Sequence, residues 1–210
     1  YERMPAGSQE FATTVKWSRN LKRRFGQRRR EPFKDSRVVR AAYRPYISRW
    51  LYQSELYIDE VGSSAQIFPP GRPNVAICFS DIGSRTDYCV LAVAGLADLH
   101  FGAAVDAYQQ VPRYRYGDDG SRADNITDWS LDQFRAHYEK AKTPKRPITK
   151  DAIFHYVYGV LHDPAYREKY ALNLKREFPR IPFYADFWRW ADWGEALMAL
   201  HIGYETVEPW

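Results

Sequence analysis

Two cysteines in 210 residues are too few for a disulfide-built scaffold or a four-cysteine zinc site. No apolar run reaches the ~18 residues needed to cross a bilayer. The N-terminal text lacks the basic-then-apolar leader of a secreted chain. A soluble, cytoplasmic protein with no membrane partner is therefore expected. An initiator methionine is also missing, since the text opens Tyr1-Glu2-Arg3. It reads as a piece of something longer.

Catalytic signatures are scarce as well. No two of the 12 glycines stand two apart, which excludes a G-x-G dinucleotide or kinase loop. No glycine precedes a lysine, so there is no P-loop for nucleotide phosphates. No acidic residue has a lysine two places on, which removes the E-x-K half of a common nuclease site, and an N-P-P-Y motif is absent. His155 and His162 are seven apart on one helical face, but two histidines without a third ligand read as packing or surface residues. Asp118 and Asp119 lie in G-D-D-G-S-R, a plain polar turn. Trp188, Trp190 and Trp193 leave two readings open, base stacking or a place in the core or an interface. This stretch is expected to hold no metal and no cofactor, and to catalyse nothing by itself.

What is present fits a folded globule. Hydrophobic residues are 45% and charged residues 27%, which excludes a largely disordered chain. A chain this long buries roughly 70% of its unfolded surface and needs no staples. The net charge is +5, but it is concentrated. Between Lys16 and Arg40 eleven Lys or Arg face only Glu31 and Asp35, a local +9 that leaves −4 for the rest. Such a field attracts a polyanion, usually nucleic acid. Lys22, Arg23, Arg24, Arg28, Arg29 and Arg30, with Arg44 and Arg49 beyond them, are the candidate phosphate contacts. Trp17, Phe25 and Phe33 tie part of the run to a packed surface. The plainer alternative is a solvated basic face.

The pattern along the chain changes near its middle. Residues 38–58 are aromatic and β-branched around Pro45, which predicts short strands about a turn. I-F-P-P-G-R-P (67–73) is a rigid loop carrying Arg72. N-V-A-I-C-F-S (74–80) and D-Y-C-V-L-A-V-A (87–94) predict a hairpin over D-I-G-S-R-T, with Arg85 in the loop. A symmetric loop would set Cys78 opposite Cys89, most simply as two reduced thiols. Beyond residue 125 the period becomes 3.6. Ser130 opens a helix to about Lys140, and T-P-K-R-P breaks it. Thr149 caps a helix with Ile153, Tyr156, Val157, Val160 and Leu161 on one stripe. Asp163-Pro164 starts another, with Tyr166, Tyr170 and Leu174 aligned, and Asp186 caps the last.

H-Y-V-Y-G-V-L-H-D-P-A-Y-R-E-K-Y-A-L-N-L-K-R-E-F-P-R-I-P-F (155–183) resembles the C-terminal specificity region of type ISP restriction-modification enzymes. Shorter pieces agree in order: W-S-R-N-L-K-R-R-F (17–25), Y-R-P-Y-I-S-R-W-L-Y (43–52), I-F-P-P (67–70), N-V-A-I-C-F-S (74–80), L-A-D-L-H-F (96–101) and N-I-T-D-W (125–129). The likeness covers about residues 15 to 205, and the helical block is its most specific part. It implies a target recognition domain whose partners are duplex DNA and the nuclease, helicase-like ATPase and adenine methyltransferase parts of a longer chain. One segment departs from the pattern. After L-H-F, the sequence reads A-Y-Q-Q-V-P-R-Y-R-Y (107–116), with two arginines added, so no base preference carries over.

The expected fold is α+β (mixed α/β), a twisted sheet of short strands in the first ~125 residues packed with a C-terminal helical block. A basic segment (1–40) leads into a β-rich recognition part (41–125) and a helical part (126–210), together one compact domain. Phosphate contacts position such a domain, and loops entering the major groove read the bases. Arg113 and Arg115 alternate with Tyr114 and Tyr116, so in a strand both arginines leave one face. With Gln109 and Gln110 before them, they are candidate base readers, with Arg72 and Arg85 next. An edge strand with ordinary surface charges is the plain alternative. A clamp docking the neighbouring domains, or a single-strand or RNA binder, is the rival function.

Overall fold

The computed structural model describes residues 17–59, 62–102, 106–140 and 146–208. Lys16 of the basic run and Thr143 to Lys145 of the T-P-K-R-P break lie outside them. Among the described residues no helix is long and apolar enough to cross a membrane.

The β part is three small antiparallel sheets, where one twisted sheet is the sequence expectation. Strands β1 (Val38–Arg44) and β2 (Ile47–Tyr52) form a hairpin turned at Pro45 and Tyr46. Strands β3 (Ala76–Ser80), β4 (Val90–Val93) and β5 (Tyr108–Pro112) form the central sheet, in the order β4-β3-β5. Strands β6 (Tyr114–Tyr116) and β7 (Arg122–Asp124) make a second hairpin over the G-D-D-G turn, where Gly120 supplies a φ of +79°.

All five residues of β3 are buried because both faces of the central sheet are covered. Alternation then divides two cores. Ile77, Phe79, Val90 and Ala92 face the helical block. Ala76, Cys78, Leu91 and Val93 face Phe68, Phe101 and Tyr108, against which Ala41 and Leu51 of the first hairpin pack.

The hairpin register differs from the symmetric expectation. Cys78 stands opposite Leu91, and Cys89 falls opposite Ser80, whose N–H it accepts at 3.0 Å, so the excursion between the strands runs over 81–88. The loop is longer because Asp106 gathers the backbone N–H groups of Arg85 and Thr86 and the Ser84 hydroxyl, while the Ser80 hydroxyl accepts from Cys89 N at 2.9 Å. Both cysteines are free thiols, and burial pushes that of Cys78 up.

Helix α3 (Asp128–Tyr138) starts earlier than expected, capped by Thr127 and not Ser130. Helix α4 (Lys150–Leu161) has the expected Thr149 cap, and α5 (Pro164–Lys169) has Asp163 as cap and Pro164 in its first turn. A break at Tyr170 separates α5 from α6 (Ala171–Leu174), and α7 (Phe187–Ile202) follows its Asp186 cap. A short α2 (Ser64–Ile67) precedes the proline loop.

The single stripe read for α4 is too narrow. Phe154 and Tyr158 are buried with Ile153, Tyr156 and Val160, because the sheet covers one side and α7 the other. Glycines let the two helices touch backbone to backbone. A Cβ on Gly194 would lie 1.9 Å from the His155 carbonyl oxygen, and one on Gly159 would lie 2.5 Å from that of Trp190.

Candidate nucleic-acid interface

The basic run divides into supports and exposed charges. Helix α1 (Arg19–Gly26) is capped by Ser18, and none of its residues is fully buried. It is moored through hydrogen bonds to the 54–59 loop. The Ser18 hydroxyl donates to Asp59 at 2.6 Å, Asn20 donates to the Asp59 carbonyl, and Arg24 donates to the carbonyls of Leu56 and Ile58 at 3.2 and 2.8 Å. Arg24 therefore positions the helix, a different task from the phosphate grip expected of it. Lys22 and Arg23 face solvent.

The helix ends where Arg28 takes the left-handed conformation, φ +53°, usually left to glycine. That reversal spreads Arg28, Arg29 and Arg30 along an exposed turn. Further on, Arg37 pairs with Glu31 at 2.6 Å. Arg40 reaches Glu205 through two hydrogen bonds of 2.9 and 2.6 Å, which raises its pKa and lowers that of the carboxylate. Arg44 holds Asp98 at 2.9 Å and lies over the Tyr43 ring, while exposed Arg49 approaches the same ring at 6.0 Å.

The expected base readers separate in the same way. Arg113 and Arg115 do not share a face, because a bend at Arg113 ends β5 before β6 begins. Arg113 is 6% exposed. Its guanidinium donates to Asp151 at 2.5 Å and to Asp124 at 2.6 Å, and its backbone N–H bonds Val75 O. Burial opposes its charge, but the two carboxylates outweigh that and raise its pKa. Asp124 is lowered in turn, Arg113 and Lys150 prevailing over desolvation. Gln110 is also committed inward, its amide pairing with the N–H and carbonyl of Ala97 at 3.2 and 3.0 Å. Gln109 is half-buried opposite Phe79.

Arg115 remains exposed, on the outer side of the β6–β7 hairpin. That hairpin is held rigidly. Buried Asn74 grips both the N–H and the carbonyl of Tyr114, at 3.1 and 2.8 Å, and the Tyr116 hydroxyl donates to Pro73 O. Arg122, which the sequence reading passed over, lies 4.3 Å from the Tyr114 ring centre, with Arg113 near the same ring at 4.4 Å. The text on either side of G-D-D-G-S carried that signal, because a hairpin there puts Arg122 opposite Tyr116.

Arg72 and Arg85 lie at opposite ends of the central sheet, before and after β3. Arg85 belongs to the Asp106 loop and donates its Nε at 3.0 Å. Exposed Arg72 sits beside the hairpin turn, where a methyl group on Gly120 would touch its guanidinium at 3.7 Å. At this same end, a cavity of about 340 Å³ between the α1 turn and the proline loop is lined by Arg29, Arg30, Arg37, Ser54, Ser64 and Pro70, among others. It joins the Arg28–Arg30 turn to the Arg72 loop, and the loop adjoins the hairpin. Glu31 and Glu55 line the same cavity, so the basic groups at this end are the Arg28–Arg30 turn and Arg72, with acidic side chains in the cavity wall.

The family model of the type ISP C-terminal specificity domain matches residues 6–210. The chain belongs to that family. Three solved structures contain a similar domain. The cryo-EM structure of a DrdV–DNA complex is 42% identical with a TM-score of 0.83, over 93% of this chain and 19% of that one. A nuclease-deletion mutant of the type ISP restriction-modification enzyme LlaGI, in complex with a DNA substrate mimic, is 33% identical with a TM-score of 0.73, over 92% of this chain and 16% of that one. The ATP-dependent type ISP enzyme LlaBIII bound to DNA is 25% identical with a TM-score of 0.76, over 93% of this chain and 13% of that one. The specificity domain thus spans less than a fifth of each of these chains. A search of curated proteins finds no match.

Proposed function

We propose that this specificity domain recognises a base sequence in duplex DNA on behalf of a longer restriction-modification enzyme. The nuclease, helicase-like ATPase and methyltransferase parts of that enzyme lie outside the 210 residues, and the domain works in the cytoplasm without a cofactor or a reaction of its own. The exposed arginines of the Arg28–Arg30 turn, the Arg72 loop and the β6–β7 hairpin carry this reading. Lys22, Arg23, Arg28, Arg29, Arg30 and Arg49 contact phosphates, while Arg72, Arg115 and Arg122 enter the major groove on the braced hairpin and its neighbouring loop. A two-stranded ribbon fits that groove, and an arginine reaches guanine O6 and N7 with two hydrogen bonds. Arg24, Arg44, Gln110 and Arg113 hold the frame.

The test is anisotropy titration against a selected duplex and a scrambled one at fixed salt. Arg115→Ala or Arg72→Ala is expected to cost about 10- to 100-fold on the selected site and little on the scrambled one. Lys22→Ala with Arg23→Ala is expected to weaken both by a similar factor. Equal losses on both duplexes for the hairpin variants would overturn the assignment of reading to that hairpin.

A further inference from the structure

Two guanidiniums lie over the Tyr114 ring, and their donors are employed differently. Arg113 comes to 4.4 Å from the ring centre and Arg122 to 4.3 Å. A guanidinium stacks through its face, while its N–H groups radiate in its plane, so one side chain can stack and donate at once. Arg113 turns its donors inward, to Asp151 and Asp124. Arg122 is exposed, and among the described residues no hydrogen bond or ion pair engages its guanidinium. The ring beneath it is fixed. Buried Asn74 accepts from Tyr114 N at 3.1 Å and donates to Tyr114 O at 2.8 Å, while the same amide donates to Ile67 O at 2.7 Å. On the next rung Tyr116, opposite Arg122, donates its hydroxyl to Pro73 O at 2.8 Å.

A long side chain already laid on a ring has given up part of its rotamer freedom before any ligand arrives. What remains is a fork of donors held in one plane, and it needs two acceptors side by side. In the major groove guanine offers them as O6 and N7, adenine sets an amine beside its N7, and neither pyrimidine presents two acceptors. A phosphate accepts from many directions and gains little from a fixed plane. Asp118 and Asp119 in the hairpin turn also disfavour a phosphate there, whereas base edges carry amine donors that a carboxylate accepts. We infer that Arg122 reads one guanine of the recognition sequence and that Tyr114 is its positioning residue. This deepens the DNA-binding reading and rests on it.

The test is a cycle of protein and DNA changes, read as affinities at fixed salt. Each guanine of the selected duplex is replaced in turn by 7-deazaguanine, which keeps O6 and lacks N7. One such position is expected to weaken the parent about five- to tenfold and to leave Arg122→Ala unaffected, because the contact is already gone. Arg122→Lys keeps the charge at an exposed position but loses the planar fork, so it should resemble Arg122→Ala on the selected duplex and the parent on a scrambled one. Tyr114→Phe keeps the ring and should match the parent. Tyr114→Leu should lose about three- to tenfold on the selected duplex and nothing on the scrambled one. A merely structural Tyr114 would lower the urea midpoint and leave the ratio of the two affinities unchanged. Equal losses on both duplexes for Arg122→Ala would make it a phosphate contact and overturn the inference, as would a selected site in which no 7-deazaguanine couples to Arg122. A selective loss for Arg115→Ala in those cases would keep the recognition reading standing. A parent that binds the selected and scrambled duplexes equally would overturn that reading itself.

Discussion

Replacing Arg113 by Ala separates a structural arginine from a reading one. The side chain is 8% exposed and bridges Asp124 and Asp151, which are 35% and 59% exposed. Breaking a fully buried pair from one side costs about 3–5 kcal/mol, since the remaining charge has no partner in a dry site. Here both carboxylates keep access to water, and Asp124 keeps Lys150 at 3.4 Å. With that discount and the lost packing, we expect about 2–3 kcal/mol of destabilisation. At an m-value of about 2–3 kcal/mol per molar urea, the midpoint should fall by roughly 1 M. Urea melts followed by far-UV circular dichroism give that number, and Arg115→Ala, at an exposed position, is the control expected to melt unchanged. Adding Asp151→Asn to Arg113→Ala should then cost little more, because the pair is already broken. A midpoint within about 0.2 M of the parent, joined to a selective loss on the preferred duplex, would refute this reasoning and make Arg113 a base reader.

The six exposed cations assigned to the grip predict that log K falls with log salt at a slope of about −5, and that Lys22→Ala with Arg23→Ala flattens it by about two; a slope near zero would turn the basic run away from DNA. Burial lowers the pKa values of His155, His162 and His201 below their ordinary 6.5. The unfolded chain then binds more protons than the native one, so stability is complete above pH 6.5 and is lost as pH falls from there toward the depressed values. Thermal melts from pH 7.5 to 5 check this, and His162→Asn should reduce the dependence. Gly194→Ala drives a methyl group into the His155 carbonyl and should destabilise the α4–α7 contact by about 3 kcal/mol, read as a lower urea midpoint.

Much of the fold was legible because local chemistry agreed with the tertiary arrangement. Thr149, Asp163-Pro164 and Asp186 each cap where the text places them. Ser130 misled because S-L-D-Q imitates a capping box, while Thr127, three residues earlier, accepts the N–H of Ser130 itself. The cysteine register was lost for a non-local reason. A loop drawn between two apolar runs looks symmetric, but Asp106, from a later part of the chain, sets its real length. The breadth of the α4 core was hidden similarly, since only α7 arriving at Gly159 buries the second face of the helix.

At the candidate interface, charge density was legible and its employment was not. An arginine's formal charge is the same whether it meets a phosphate or a carboxylate of its own chain. Arg24, Arg37, Arg40, Arg44 and Arg113 all find internal oxygens through contacts 6 to 165 residues away in sequence. Alternation along R-Y-R-Y predicts a shared face only if the strand is unbroken. The bend at Arg113 breaks it: the residue's N–H still continues the ladder to Val75 O, its carbonyl already accepts from Asn125 N of the next hairpin, and its guanidinium turns to two acidic side chains. The same bend lets the β6–β7 hairpin leave the central sheet and lean on Asn74 and the proline loop. Arg113 is thus buried while Arg115 stays exposed on the hairpin, and the two arginines that alternation would pair take different surroundings.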